Sequence, residues 1–402
     1  TWCLVGSEMC IRDRRNTAMD RTLRDCLNLL KSDYVSGWSL LLLPALLSLA
    51  VVPSSTTTTM ALLLRFLGLG VALIPLARVI SRLVDHLSDH LGDRYSGVVS
   101  VGLGNLVELV VSIMALTSGL YKLVVISVAG AVITNCLLML GISTVLAGQR
   151  EQLVTIQASS TELQARQLML SLLLLAIPTI ISLGTGTTLL EGNDQRDSFA
   201  LYSLAVAVMI LIYYVLSFVL QLGTHRSFFS GNPIKPADPS TSRPSTETEH
   251  EHEIAAILIA MGVVSLAVVA ISEPLVQTLE VLVAHTHLSE LFIGLILLPL
   301  FGSTAEGVIA VGAARRGRMD LAITSTMESS GQLMLFVLPV LVLIGWPLGR
   351  FLHLSVPLNA LGCTGIAVLA VHWITENNQL DWYEGMQLIT LYGVILLGCL
   401  LL

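Results

Sequence analysis

Two glutamates stand in apolar stretches of this sequence, where a charged side chain is energetically unfavourable. Glu108 follows Asn105 and Glu306 follows Ser303 at the same spacing, and a glycine precedes each polar residue. A charged side chain at the centre of a membrane helix costs about 2.5–3.5 kcal/mol on insertion scales. Because residues three apart share one helix face, each pair presents its oxygens in one direction. Such oxygen-only donors suit a hard cation such as Ca²⁺.

Two facing carboxylates also favour coupling to protons. Without a metal, like charges in a medium of low dielectric repel each other, so the pair takes up protons instead. The alternative is that each glutamate only hydrogen-bonds a neighbouring helix, a contact that contributes about 0.6 kcal/mol on average. The recurrence of the motif favours an ion site. The predicted metal ligands are Glu108, Glu306, Asn105 and Ser303.

Further polar residues lie in the apolar segment that follows each motif. Asn135 stands 27 positions after Glu108, and Gln332 stands 26 positions after Glu306. Glu328 lies one helical turn before Gln332, and a ligand role and a salt bridge to a neighbouring helix are both open for it. The residues of this predicted ion or proton path are Glu328, Gln332, Asn135, Thr134 and Ser329. The alternative is that they only bond helices together.

The composition places these motifs in a membrane. The 402 residues are 54% hydrophobic and 12% charged, with a mean hydropathy of +0.80, far more apolar than a soluble domain. Apolar runs of about 20 residues cross a hydrocarbon core of ~30 Å. The predicted spans are 37–53, 60–80, 97–117, 121–147, 167–187, 199–222, 254–273, 288–313, 321–345, 355–373 and 384–402. We therefore predict an all-α polytopic protein in the lipid bilayer, with about 11 transmembrane helices.

The predicted spans form a leading helix and two blocks of five helices. Because each block has an odd number of spans, the second block has the opposite orientation in the membrane. Inverted repeats with a binding site between them are common in transporters. A segment rich in Pro, Ser and Thr, with an acidic end, separates the blocks and is predicted to be a flexible linker. The predicted divisions are a non-native leader (1–15), an N-terminal tail with the leading helix (16–59), the first repeat (60–222), the linker (223–253) and the second repeat (254–402).

The positive charges predict the orientation of the chain. If the N-terminus is cytosolic, the cytosolic loops collect most Lys and Arg residues, and the opposite side collects only Lys122, Arg196 and Arg350. An excess of positive charge marks cytosolic loops. The C-terminus is therefore predicted to be extracytoplasmic.

Other functional classes find no support in the sequence. There is no HExxH, GxSxG or phosphate-loop motif, so an enzyme is not predicted. The six cysteines show no paired spacing, which argues against a disulfide framework or a zinc site. No basic stripe indicates nucleic acid, and nothing in the sequence indicates an oligomeric state.

At these motifs the chain resembles the calcium/proton exchangers of the cation/calcium exchanger superfamily. The similar stretches are LVDHLSDHLGDRYSGVV, GNLVELV, ITNCLLMLG, FVLQLGTH, LFIGLILLP, GQLMLFVLP and LDWYEGMQLITLYGVILL. The resemblance implies eleven helices, two inverted repeats of the sodium/calcium-exchanger type, and Ca²⁺ transport against protons into a vacuole or other endomembrane compartment. It places ion-binding positions on Asn105, Glu108 and Glu306, with Gln332 at the polar position of the following helix.

Several positions depart from the pattern of this family. In the second motif, Ser303 stands where the family usually has Asn, and Gly307 stands where it usually has His. In the following helix, Glu328 precedes Ser329 where the family usually has Gly before Ser. In the first repeat, Ala131 stands where the family usually has Ser. The second half of the site is therefore altered, and the identity of the ion depends on it.

The sequence thus predicts a secondary antiporter that exchanges Ca²⁺, or a related divalent cation, for protons by alternating access at one carboxylate site, without a cofactor. Two alternatives remain open because of the departures around Glu306. One is an exchanger of Mn²⁺ or monovalent cations on the same scaffold. The other is a membrane subunit or sensor that transports nothing.

Overall fold

The structure is a computed structural model that describes residues 42, 58–91, 103–151, 153–156, 158–185, 193–219, 247–285 and 288–401. The helices of these residues are α1 (Thr59–Leu91), α2 (Leu106–Thr117), α3 (Tyr121–Gly148), α4 (Ala158–Thr185), α5 (Asn193–Val219), α6 (Glu247–His285), α7 (Glu290–Gly302), α8 (Thr304–Arg315), α9 (Met319–Gly345), α10 (Leu358–Thr375) and α11 (Trp382–Leu401). Two short strands, β1 (Val154–Thr155) and β2 (Gln379–Leu380), pair antiparallel.

The helices are long and apolar enough for many membrane crossings. Among the described residues, eight helices meet this criterion, or up to nine if the bent pair α7–α8 forms one span, and α2 is a shorter apolar helix. The predicted all-α, many-spanning fold is therefore confirmed. The count of eleven spans and the inverted repeats stay predictions. The predicted leader 1–15 and nearly all of the predicted leading helix 37–53 lie outside the described residues.

Helices α4 and α6 both extend well beyond their predicted spans. Helix α6 has 39 residues and includes residues 247–253, the acidic end of the predicted linker. At 1.5 Å per residue it is about 58 Å long, so it extends past a hydrocarbon core of ~30 Å. Helix α4 begins at Ala158 with polar turns that precede its apolar run. Hydropathy marks the apolar part of a helix and not its ends, which explains both differences.

Helices α3 and α9 lie at the centre of the bundle. In their apolar windows, 94% of α3 and 72% of α9 are buried, whereas 33% or less is buried in α5, α6, α10 and α11. The outer helices expose large apolar side chains such as Met209, Leu266 and Trp373, as expected for surfaces that face lipid. The two central helices carry the polar residues that the sequence predicts for the ion path.

A close crossing of α3 and α7 holds the centre together. A Cβ atom at Gly130 of α3 would overlap the backbone carbonyl of Leu295, and one at Gly294 of α7 would lie 2.8 Å from Cγ2 of Ile126. A π-helical turn, Ile293–Leu297, occurs in α7 at this crossing. Small residues let membrane helices approach closely, so these two glycines set the distance between the helices.

We expect Gly130→Ala to destabilise the protein by about 1–3 kcal/mol, the usual effect of overpacking. The new methyl group meets the backbone of Leu295, which cannot rotate away. The measurement is the thermal unfolding midpoint in detergent. Gly362→Ala is the matched control, because a Cβ there meets nothing within 4 Å and alanine favours a helix. Equal midpoints for the two variants would contradict this account of the crossing.

Candidate cation site

Both motif glutamates follow a break in a helix. Asn105 has φ −98° and ψ 30° just before α2, and Ser303 has φ −74° and ψ 4° between α7 and α8, which are bent by 57°. Glu108 and Glu306 therefore occupy the first turns of α2 and α8. Partial positive charge at a helix N-terminus stabilises a carboxylate there. The two predicted half-sites thus have the same local architecture.

The two carboxylates come together in the structure. Glu108 is half-buried and Glu306 is 8% exposed, and they lie close enough to interact electrostatically. A Cβ atom at Gly302 would lie 3.3 Å from Oε1 of Glu108, so the glycine of the second motif makes room for the glutamate of the first. This juxtaposition of Glu108 and Glu306 is the one that the paired motifs predict.

A hydrogen-bond network joins Asn105, which directly precedes α2, to polar residues of α3 and α9. The Asn105 amide donates to Oε1 of Gln332 at 2.6 Å and accepts from the Ser329 hydroxyl at 3.1 Å. Asn135 donates to the Ser329 hydroxyl at 3.2 Å, and Gln332 donates to Oε1 of Glu328 at 3.2 Å. Five of the predicted site and path residues therefore form one connected unit between the predicted repeats.

Four buried oxygens in or beside this network have no hydrogen-bond partner among the described residues. Three are Oγ of Ser303, Oε2 of Glu306 and Oδ1 of Asn135, and the fourth is Oγ1 of Thr134, on the side of Tyr392. A buried polar atom without a partner costs about 1–3 kcal/mol, and a bound cation removes that cost. In the part of the chain that the structure describes, no group of three or more His, Cys, Asp or Glu residues is arranged for a metal. The donors available to a cation are therefore two carboxylates and neutral oxygens.

Two predicted path residues lie at the edges of the network. Thr134 begins a π-helical turn, Thr134–Met139, and its hydroxyl lies beside that of Tyr392 in α11. It therefore faces α11, and its place in the ion path stays a prediction. Glu328 has an exposed side chain and contacts the network through Gln332. A second π-helical turn, Leu333–Val337, follows Gln332; such turns frequently accompany functional sites.

A small cavity lies beside Glu108. Its volume is about 30 Å³, and its lining includes Ser112 of α2, Ser127 of α3 and Gly302 of α7. That volume holds one or two waters or a small ion. Ser112 lies one helical turn after Glu108 in α2, and Ser127 lies in the second turn of α3.

The sequence reasoning missed three residues at this site. Ser112 follows Glu108 by four residues and shares its helix face, so its spacing was a usable signal. Ser127 stands alone in an apolar run and gave no comparable signal. Met139 also gave none: its thioether occupies the space where a side chain at position 307 would begin.

Comparison with known proteins assigns the chain to a family. The model of the sodium/calcium exchanger protein family matches residues 61–223 and 255–401. The chain belongs to this family. A Ca²⁺/H⁺ antiporter from Synechocystis sp. is 32% identical over 346 residues, which cover 83% of this chain and 90% of that protein. A vacuolar calcium ion transporter from Schizosaccharomyces pombe is 31% identical over 333 residues, covering 81% of this chain and 76% of the relative.

Solved structures of exchangers share the fold of this family member. Native YfkE superposes with a TM-score of 0.72 at 25% identity, covering 91% of this chain and all of the other. The H⁺/Ca²⁺ exchanger CAX superposes with a TM-score of 0.65 at 16% identity, covering 94% of this chain and 89% of that one; at that identity the likeness concerns the fold alone. Membership of the family confirms that the chain is an integral membrane transporter and not an enzyme.

Proposed function

We propose that this sodium/calcium exchanger family member exchanges Ca²⁺ for protons across its membrane at a site formed by Glu108 and Glu306. The observation that carries the proposal is the meeting of these two carboxylates, where Oε2 of Glu306 and the neutral oxygens of Ser303 and Asn135 are buried without partners. Ca²⁺ accepts six to eight oxygen ligands, carboxylates among them. The relatives named Ca²⁺/H⁺ antiporter and vacuolar calcium ion transporter support the choice of ion.

Exchange follows from competition at one site. When Ca²⁺ binds, its two charges balance the two carboxylates. When it leaves, the carboxylates repel each other in a medium of low dielectric, so protons bind to them. Cation and protons therefore occupy the site in turn and need no cofactor. Ser303 and Asn135 supply neutral oxygens to the cation, and Asn105 holds the network beside it.

The proposal also covers the orientation of the site in the membrane and the identity of that membrane. With a cytosolic N-terminus and two inverted repeats, the cavity beside Glu108 opens on the extracytoplasmic side and Glu328 lies toward the cytosol. Alternating access closes this cavity and opens the site on the other side. The membrane that we propose is a vacuolar or other endomembrane, which fits the relative from Schizosaccharomyces pombe.

A flux panel in sealed vesicles tests the choice of ion. Vesicles containing the purified protein, acidic inside, are loaded with a pH-sensitive dye, and Ca²⁺, Mn²⁺, Na⁺ or K⁺ is added outside. We expect Ca²⁺ to release internal protons, because two carboxylates with neutral oxygens match a hard divalent cation. Protein-free vesicles give the leak rate. Proton release by Na⁺ or K⁺ but not by Ca²⁺ would favour a monovalent exchanger, and no release by any cation would favour an inactive subunit or sensor.

A further inference from the structure

The hydrogen bonds of the polar network all run in one direction. Asn135 donates to Ser329, Ser329 donates to Asn105, Asn105 donates to Gln332, and Gln332 donates to Glu328. The chain of bonds crosses from α3 to α9, then to α2, and returns to α9. It ends on a carboxylate.

The carboxylate at the end determines the direction of every bond before it. A carboxylate only accepts, whereas an amide has one accepting and one donating end. Gln332 must therefore turn its NH₂ group to Glu328 and its oxygen to Asn105. Asn105 must then donate to Gln332 and accept from Ser329. Because the Ser329 hydrogen is used in that bond, Asn135 donates to Ser329, and its own oxygen is left without a partner.

The free oxygen of Asn135 belongs to the cation site. Asn135 and Met139 are four residues apart in the π-helical turn of α3, nearly one turn, and so lie on the same side of the helix. The Met139 thioether lies against Gly307, which directly follows Glu306. This face of α3 therefore packs against the start of α8, where Glu306 and Ser303 hold two further buried oxygens without partners.

We propose that Glu328 is a positioning residue that keeps the Asn135 oxygen turned toward the cation. It acts through Gln332, Asn105 and Ser329. This inference rests on the proposed function and concerns the affinity of the same site. Without an acceptor at position 328, Gln332 is free to turn over and the bonds can reverse, so that Asn135 presents an NH₂ group to the cation instead of an oxygen.

Two substitutions distinguish a Glu328 that only positions the hydrogen-bond network from a Glu328 whose negative charge is needed. Glu328→Met removes the acceptor at similar length, whereas Glu328→Gln keeps an oxygen that accepts from Gln332. In the vesicle assay, we expect Glu328→Met to raise the KM for Ca²⁺ about tenfold, as loss of an outer-shell partner does in metal sites, with a smaller change in maximal rate. Glu328→Gln is expected to stay within about threefold of the wild-type KM.

The matched control is Glu273→Met, which removes another exposed glutamate from a membrane helix, α6. Its KM for Ca²⁺ is expected to equal that of the wild type. If Glu328→Gln is as impaired as Glu328→Met, Glu328 binds the cation or carries the proton itself, and the inference is wrong. A wild-type KM in Glu328→Met also overturns it while the proposed function stands. Absence of Ca²⁺-driven flux in the wild type overturns the proposed function, and this inference with it.

Discussion

Glu306→Gln is expected to abolish Ca²⁺-driven proton flux, and Glu108→Gln is expected to do the same. The amide keeps the shape of the side chain but removes both the charge that balances the cation and the group that carries the proton. Removing one carboxylate leaves part of the charge of the bound cation unbalanced, and an unbalanced buried charge costs about 3–5 kcal/mol; each 1.4 kcal/mol is a factor of ten. Each variant should therefore lose at least about 100-fold in flux, measured with a pH-sensitive dye in sealed vesicles.

Comparing the two variants tests whether both glutamates belong to one site, because their surroundings differ. Glu306 is 8% exposed and has an oxygen without a partner, whereas Glu108 is half-buried beside a cavity. If both belong to one site, equal losses are expected in spite of this difference. Glu376→Gln, an exposed acid just after α10, is the control and should keep its flux. Normal transport by either motif variant would show that its carboxylate is not part of the exchange site.

The sequence predicted the architecture of the site because the motif occurs twice. The repeated spacing predicted two matching half-sites, and in the structure a helix break occurs at the same motif position in each, Asn105 and Ser303. The apolar runs predicted where helices cross the membrane, since burial in lipid depends on composition. They did not predict the polar turns of α6 before Ile254, which extend outside the apolar part.

The side-chain pairing at the site was not predictable from spacing. Asn105 was predicted as a metal ligand, and that role stays a prediction; in the structure its NH₂ group donates to Gln332 and its oxygen accepts one hydrogen bond from Ser329. The free amide oxygen belongs to Asn135. Which amide keeps a free oxygen depends on the direction of a hydrogen-bond chain through three helices, and a linear sequence does not show that direction.

The departure at Gly307 has a structural counterpart in Met139. A histidine is usual at position 307 in the exchangers that this chain resembles, and glycine leaves space there. Met139 of α3 fills that space: a Cβ atom at position 307 would overlap its sulfur and lie 3.0 Å from its Cε. Met139 is 8% exposed, so a larger residue at 307 must displace a buried side chain at the cation site.

Gly307→His alone is therefore expected to reduce Ca²⁺-driven flux by about five- to 150-fold, since overpacking of about 1–3 kcal/mol falls directly beside Glu306. Met139→Ala alone should lower the thermal midpoint through an empty cavity, at a cost of about 2 kcal/mol, but should still transport. The double variant Met139→Ala/Gly307→His should recover most of the flux, because the imidazole enters the space that the thioether leaves. Non-additivity of this kind arises between residues in contact. A double variant as impaired as Gly307→His would show that the imidazole itself disturbs the ion, independently of Met139.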